Sequence, residues 1–244
     1  MRIVPALIVV LQVISSIAQA QCVARAGTPH PHLVELYTSE GCSSCPPAER
    51  WLRGLSGDTT VIALEFHVDY WDSLGWRDRF ASPRYTARQQ KLAARAGSGI
   101  VYTPEVALDG REWRDWYRDN PLSTLSNGDT TMTLAATRDG SGLHVRINTD
   151  AGDETNAPDF HNYVALTESG VTSKVSAGEN RGELLHHDHV VRAFAGPLPL
   201  ARAEADLAIP ADVDLSKAEL VAFAQSPRDG EVSQVVTLPL GQCQ

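Results

Sequence analysis

The chain has 244 residues, 43% of them hydrophobic and 21% charged, an ordinary globular balance with material for one large domain or two moderate ones. Its formal net charge of −9 speaks against a nucleic-acid partner, whose phosphates call for clustered Lys and Arg. Beyond residues 1–20 no stretch approaches the ~20 apolar residues of a membrane span, so stable membrane insertion is not expected.

Met1 to Ala20 carries a single basic residue, an apolar run through Val13 and Ile14, and a small-x-small end at Ala18, Gln19 and Ala20. This is the pattern of a cleaved secretory signal and predicts an exported protein, periplasmic or secreted. Disulfides persist in such a compartment, so the cysteines are read as pairs. Cys42 and Cys45 form one evident pair. Cys22 and Cys243 remain near the two ends of the processed chain, and a structural bridge between them is the simplest assignment. A free second resolving thiol at either position is the competing reading.

The stretch LVELYTSEGCSSCPPAERWLRGL, residues 33–55, joins a strand to a helix. Leu33, Val34, Leu36 and Tyr37 read as a short buried strand, whereas Ala48, Trp51, Leu52 and Leu55 recur at helical spacing. The pattern predicts a helix starting at or near Cys42, with Pro46 and Pro47 in its first turn. A sulfur at a helix N-terminus is favoured as thiolate, which makes Cys42 the attacking thiol and Cys45, one turn on, the resolving one. A lone C-x-x-C also fits a static disulfide or half of a zinc site.

Residues 54–60 read as a turn, and Val61 to Phe66 is a continuous apolar run of the kind buried on both faces of a parallel sheet. The segment His67-Val-Asp-Tyr-Trp71 follows, and it has two readings. Either His67, Asp69 and Trp71 line a substrate groove, or Tyr70, Trp71 and Trp76 cap the core with His67 as a hydrogen-bonded neighbour. Ser82 and Pro83 open a second helix, with Tyr85 and Leu92 on one face and Gly97 closing it. Pro104 then enters a strand pattern and belongs at the strand's start or in a special turn. As a cis-proline it would leave the backbone of Thr103 free to pair with a substrate chain; a plain trans strand start is the alternative.

The order of strand, C-x-x-C, helix, strand, helical excursion, Thr-Pro and strand resembles the thioredoxin superfamily. More closely, TSEGCSSCPPAE, HVDYW, LGWRDRFASPRYTARQ and VYTP resemble the bacterial secreted family called domain of unknown function 1223, over nearly the whole processed chain. That likeness implies a thioredoxin-like fold, Cys42 as attacking thiol, Cys45 as resolving thiol and Thr103-Pro104 as the substrate-aligning pair. It also implies that Glu35 is the buried acid below the cysteines, a proton acceptor for Cys45, although the following loop is one residue longer than in thioredoxin itself. A strand-edge, solvent-facing Glu35 is the alternative. The dipeptide Ser43-Ser44 is neither the Gly-Pro of thioredoxin nor the Pro-His of Dsb-type oxidants, which leaves the direction of electron flow open.

From about Thr130 the period changes to two, and six or seven short strands predict a β-sandwich. The expected organisation is a signal at 1–20, a thioredoxin-like α/β domain with a helical insertion at 28–126, and a C-terminal antiparallel β-sandwich-like domain at 130–240. The boundary is placed in the polar stretch Asn120-Pro121 to Asp129. On a strand, His187 and His189 would share one face and His186 and Asp188 the other, so no full metal site is expected there.

Three functions compete. The first is an exported thiol–disulfide oxidoreductase without cofactor, acting on a protein or small-molecule disulfide or on a redox partner. The second is a copper(I) or zinc metallochaperone using Cys42 and Cys45 with His67 or with His187 and His189. The third is a non-catalytic binding module with a static disulfide.

Overall fold

A computed structural model describes residues 21–118, 122, 124–152, 159–241 and 243. The expected signal segment, together with Asn120 and Pro121 of the expected boundary, lies outside these residues. Strand β1 (Gln21–Ala26) is followed by β2 (His32–Thr38), helix α1 (Pro46–Gly54), β3 (Val61–His67), helix α2 (Pro83–Arg95), β4 (Glu105–Leu108) and β5 (Arg111–Glu112). Among the described residues, the regular elements of the second half are strands apart from one 3-10 turn: β6 (Thr131–Asp139), β7 (Gly142–Asp150), β8 (His161–Glu168), β9 (Val171–Lys174), β10 (Leu184–His187), β11 (Val190–Leu198), β12 (Arg202–Ala208), β13 (Ala218–Gln225) and β14 (Val232–Pro239).

These strands form one eight-stranded sheet in the order β14-β13-β8-β11-β3-β2-β4-β5, one four-stranded sheet β1-β6-β7-β12, and the hairpin β9–β10. The expected thioredoxin-like α/β domain with a helical insertion is therefore overturned. The described residues are 44% strand and 13% helix, with three sheets and only two α-helices. The physical reason lies at the edge of β3. An unpaired strand edge seeks a partner, and here β11 supplies it in parallel register, Val190 opposite Glu65, so strands of the C-terminal half extend the N-terminal sheet. Two sheets do face each other, but one of them draws strands from both ends of the chain.

Alternation along β2 and β3 assigns the two faces. Val34, Leu36 and Ala63 pack under α1 against Ala48 and Leu52. On the other face Leu33, Tyr37 and Phe66 meet Tyr85 and Leu92 of α2. The four-stranded sheet covers the far half of the α1 face, where Leu134, Val145 and Ile147 pack against Val164, Leu220 and Val236. Strand β1, which the sequence pattern did not announce, pairs with β6, and its Cys22 is bonded to Cys243.

Both helices begin where proline permits. Ser82 caps α2 by accepting a hydrogen bond from the Arg84 amide, with Pro83 as first helical residue. Helix α1 begins at Pro46 with Cys45 as its N-cap, three residues later than Cys42. Two consecutive prolines lack the amide hydrogens that an earlier start would require of them, so they must occupy the opening turn.

Helix α2 is tied to the sheet by Arg88. Its Nε and Nη2 donate to the two Glu35 carboxylate oxygens at 2.6 and 2.9 Å, among the rings of Phe66, Tyr163, Phe194 and Phe223. Removing one partner of a buried ion pair strands the other charge. Arg88→Met should lower stability by about 3–5 kcal/mol in urea denaturation at neutral pH; an unchanged unfolding midpoint would show that the pair carries no such weight.

Candidate functional site

Cys42 and Cys45 are joined in a disulfide at the junction of β2 and α1. The turn that presents them is held by the Cys42 amide donating to Ser39 O at 3.0 Å and the Cys45 amide to Cys42 O at 3.2 Å. Cys45 caps the helix, so the positive end of α1 lies closest to the resolving position of the pair. Ser44 Oγ lies 3.3 Å from Cys42 Sγ and donates to Thr103 O at 3.5 Å, which brings the Thr103-Pro104 turn against the disulfide. The Thr103–Pro104 bond is cis, and Trp71 Nε1 donates to Thr103 Oγ1 at 2.8 Å.

Neither sulfur reaches solvent: both cysteines are 0% exposed. Part of the cover is the loop between β9 and β10. Glu179 Oε2 accepts from the Ser43 amide at 3.1 Å and from Ser43 Oγ at 2.7 Å. Asn180 Nδ2 donates to Glu40 O at 2.9 Å and to Cys42 O at 3.0 Å. Gly178, at φ +74, lets this loop approach Trp76, whose Cβ would lie 3.2 Å from an added side chain. A cleft of about 420 Å³ remains between the first turns of α1 and the hairpin, lined by Ser43, Pro46, Glu49, Glu179 and His186 among others.

Beneath the loop lies a cluster of buried ionisable groups. Strand alternation points Glu65 and His67 of β3 to the α1 face, where Glu49 descends from α1 and His187 enters from β10. Glu65 Oε1 faces both imidazoles, 2.8 Å from His67 Nε2 and 3.1 Å from His187 Nδ1. His67 Nδ1 is 2.6 Å from Asp78 Oδ2, and Thr38 Oγ1 donates to Glu49 Oε1 at 2.7 Å. Burial, reinforced by the nearby Glu65 charge, pushes the Glu49 carboxyl up. Burial also works to raise Glu65, but hydrogen bonds from His187 and His67 outweigh it and hold that carboxyl down. For His67 burial opposes the charged form, yet the Asp78 carboxylate prevails and raises its pKa.

The expected site residues separate. Cys42, Cys45, Thr103, Pro104 and Trp71 come together. Glu35 does not join them: it faces α2, bonded to Arg88 and to the Tyr37 hydroxyl, on the sheet face opposite α1. The acids that the fold brings to the α1 face are Glu49 and Glu65. His67 is 0% exposed and so lines no groove, while Asp69 is tied to Thr86, whose Oγ1 donates to it at 2.5 Å. The expected His187–His189 face is also corrected. Strand β10 ends at His187, and His189 takes a positive φ of 60° that turns it towards Ser56 Oγ, 3.0 Å from its Nε2. A carboxylate inside the apolar run VIALEF was the available signal for Glu65; nothing local marked Glu49, Asp78, Glu179 or Asn180.

Fold and site together define a mixed β protein in which a helix-capping disulfide is closed beneath a hairpin. The family described as "Protein of unknown function (DUF1223)" matches residues 33–225, and the chain belongs to that family. Protein AGR_C_4864 from Agrobacterium tumefaciens has a similar crystal structure, with 24% identity, a TM-score of 0.64, and coverage of 89% of this chain and 97% of that one. HBP35 of Porphyromonas gingivalis is more distant, at 12% identity and a TM-score of 0.59 over 89% of this chain and 77% of the other. Both likenesses concern the fold. No curated protein matches the chain.

Two expectations follow. Asn180→Ala removes two hydrogen bonds worth ~0.5–1.5 kcal/mol each, so the loop should open about tenfold more often. Dithiothreitol should then reduce Cys42–Cys45 correspondingly faster, and an unchanged rate would show that this loop does not limit access. The second concerns Glu105, which follows Pro104. Burial, against a hydrogen bond from Gln89, raises its carboxyl from the ordinary 4.5 to about 7. Between those pH values the folded chain holds a proton that the unfolded chain has released, so stability should fall as pH rises through this window. Glu105→Gln should remove that fall, gaining on the parent protein in thermal midpoint at pH 8 relative to pH 5; equal differences at both pH values would contradict it.

Proposed function

We propose that the protein is an exported thiol–disulfide exchange protein, with Cys42–Cys45 as the redox pair. The observation that carries this reading is the placement of the pair. A two-cysteine ring at the start of α1, touching the Thr103-Pro104 turn through Ser44, sits at the positive end of a helix, which favours the thiolate that exchange uses. Two disulfides suit an oxidising compartment. Among the described residues no helix is long and apolar enough to cross a membrane.

In the oxidised form a substrate thiolate attacks the Cys42 sulfur, forming a mixed disulfide and expelling Cys45 as thiolate. A second substrate thiolate then attacks the substrate sulfur of the mixed disulfide and expels Cys42 as thiolate. The substrate leaves as a disulfide, and two electrons remain in the reduced pair. The helix N-terminus favours the charge on Cys45. Because both sulfurs are covered, local opening must precede either step, and the 175–183 loop, bonded to Ser43 and to the Cys42 carbonyl, is one segment whose movement would expose the turn.

That same coverage supports a second reading, a static disulfide that staples β2 to α1. The reduction potential decides between them, measured in glutathione buffers on protein with Cys22 and Cys243 replaced by Ser. A value between roughly −120 and −270 mV is expected for a working exchanger, whereas one well below about −300 mV marks a structural bridge. Under the exchange reading Cys42→Ser should abolish thiol–disulfide exchange and Cys45→Ser should accumulate mixed disulfides; unchanged turnover in Cys42→Ser would refute it.

A further inference from the structure

The cluster beneath the hairpin contains more than the redox pair requires. Glu65 Oε1, His67 Nε2 and His187 form a group of donors mutually within 4.8 Å, all three side chains buried. Glu49 adds a fourth, its Oε2 3.6 Å from His187 Nδ1. A tetrahedral ion with bonds of about 2.0–2.1 Å holds its ligands roughly 3.3 Å apart. Three of the six separations among these four atoms, Glu65 to His67, Glu65 to His187 and Glu49 to His187, are 2.8, 3.1 and 3.6 Å, which bracket that value.

The outer contacts have the form that metal sites use. A ligating imidazole is oriented by a carboxylate on its other nitrogen, and His67 Nδ1 meets Asp78 Oδ2 at 2.6 Å. Asp78 is itself anchored by the amides of Glu40 and Phe80, each donating at 2.9 Å. Thr38 fixes the outer oxygen of Glu49. Around His187 the outer contact is looser: its Nε2 and Glu40 Oε1, both fully buried, lie 3.5 Å apart, within ion-pair range but longer than a well-formed hydrogen bond. A cation on Nδ1 places the ring proton on Nε2, aimed at Glu40, whose other oxygen already accepts from Trp76 Nε1 at 2.7 Å. Glu49 also lines the 420 Å³ cleft, which offers a route from solvent.

We propose that Glu65, His67, His187 and Glu49 form a binding site for a divalent ion of the zinc class. Two imidazoles and two carboxylates are a donor set suited to zinc, and the cysteines, oxidised to a disulfide, take no part. The site gathers ligands from β3, α1 and β10, so the ion fastens the hairpin to the face that carries the redox pair. It does not depend on that pair being active.

The test uses the full processed chain, free of any polyhistidine tag, with both disulfides oxidised. After chelator treatment and desalting, Zn²⁺ is titrated by calorimetry and Co²⁺ by absorption. One equivalent of each should bind, Co²⁺ with the intense visible bands of a four-coordinate site, and Zn²⁺ should slow reduction of Cys42–Cys45 by dithiothreitol. Folded Asp78→Asn, which removes the charge behind His67 without removing a ligand, should weaken Zn²⁺ by about 10- to 100-fold, and folded His187→Asn should weaken it more. His144→Ala, on the four-stranded sheet, should leave binding unchanged. Absence of Zn²⁺ and Co²⁺ binding to the parent chain would overturn the proposal whether or not the variants fold. So would equal affinity in a folded His187→Asn.

Discussion

A single carboxylate oxygen, Glu65 Oε1, receives both His67 from its own strand and His187 from the hairpin. This contact joins residues 122 positions apart, and it sits where β11 pairs with the edge of β3. A carboxylate buried in the middle of an apolar strand is costly unless it is paired. His67 meets part of that need from the same strand, and the C-terminal half, folded onto the N-terminal sheet, supplies the second partner. The hairpin that brings His187 also brings Glu179 and Asn180 over the disulfide. One hairpin thus both completes the partners of Glu65 and helps enclose the cysteine turn.

The opposite face of the same strands carries a second buried ion pair, Glu35–Arg88, wrapped in aromatic rings. The two acids differ in what they bind. Glu35 is saturated by a guanidinium that stays charged at any working pH, and serves to fix α2. Glu65 is held by imidazoles, whose nitrogens ligate metals. Chemistry therefore concentrates on the α1 face, together with the disulfide and the cleft.

Much of the local structure was legible. The strand before the cysteines, the prolines in the opening turn of α1, the Ser82-Pro83 cap and the Pro104 strand start all rest on rules that act within a few residues. Resemblance led astray at Glu35 and in the fold class. A strand's alternation states that Glu35 and Leu36 face opposite ways but not which way α1 lies, and a helix-poor sheet extended by distant strands leaves no local trace. The His186–His189 run was read as continuous strand because its pattern continues; the chain turns at His189 instead.

By itself the sequence determined the strand before the cysteines, the cysteine pair beside a helix start, the Ser82-Pro83 cap, and the even cysteine count that closes Cys22 to Cys243. Only the tertiary structure decided that Glu35 faces α2 and not α1, that both sulfurs are covered, and that two histidines and several carboxylates from four segments share one buried volume. The reason is one of range. Backbone propensity and capping act over a few residues, whereas the buried cluster is set by which unpaired strand edge and which uncompensated charge meet across more than a hundred.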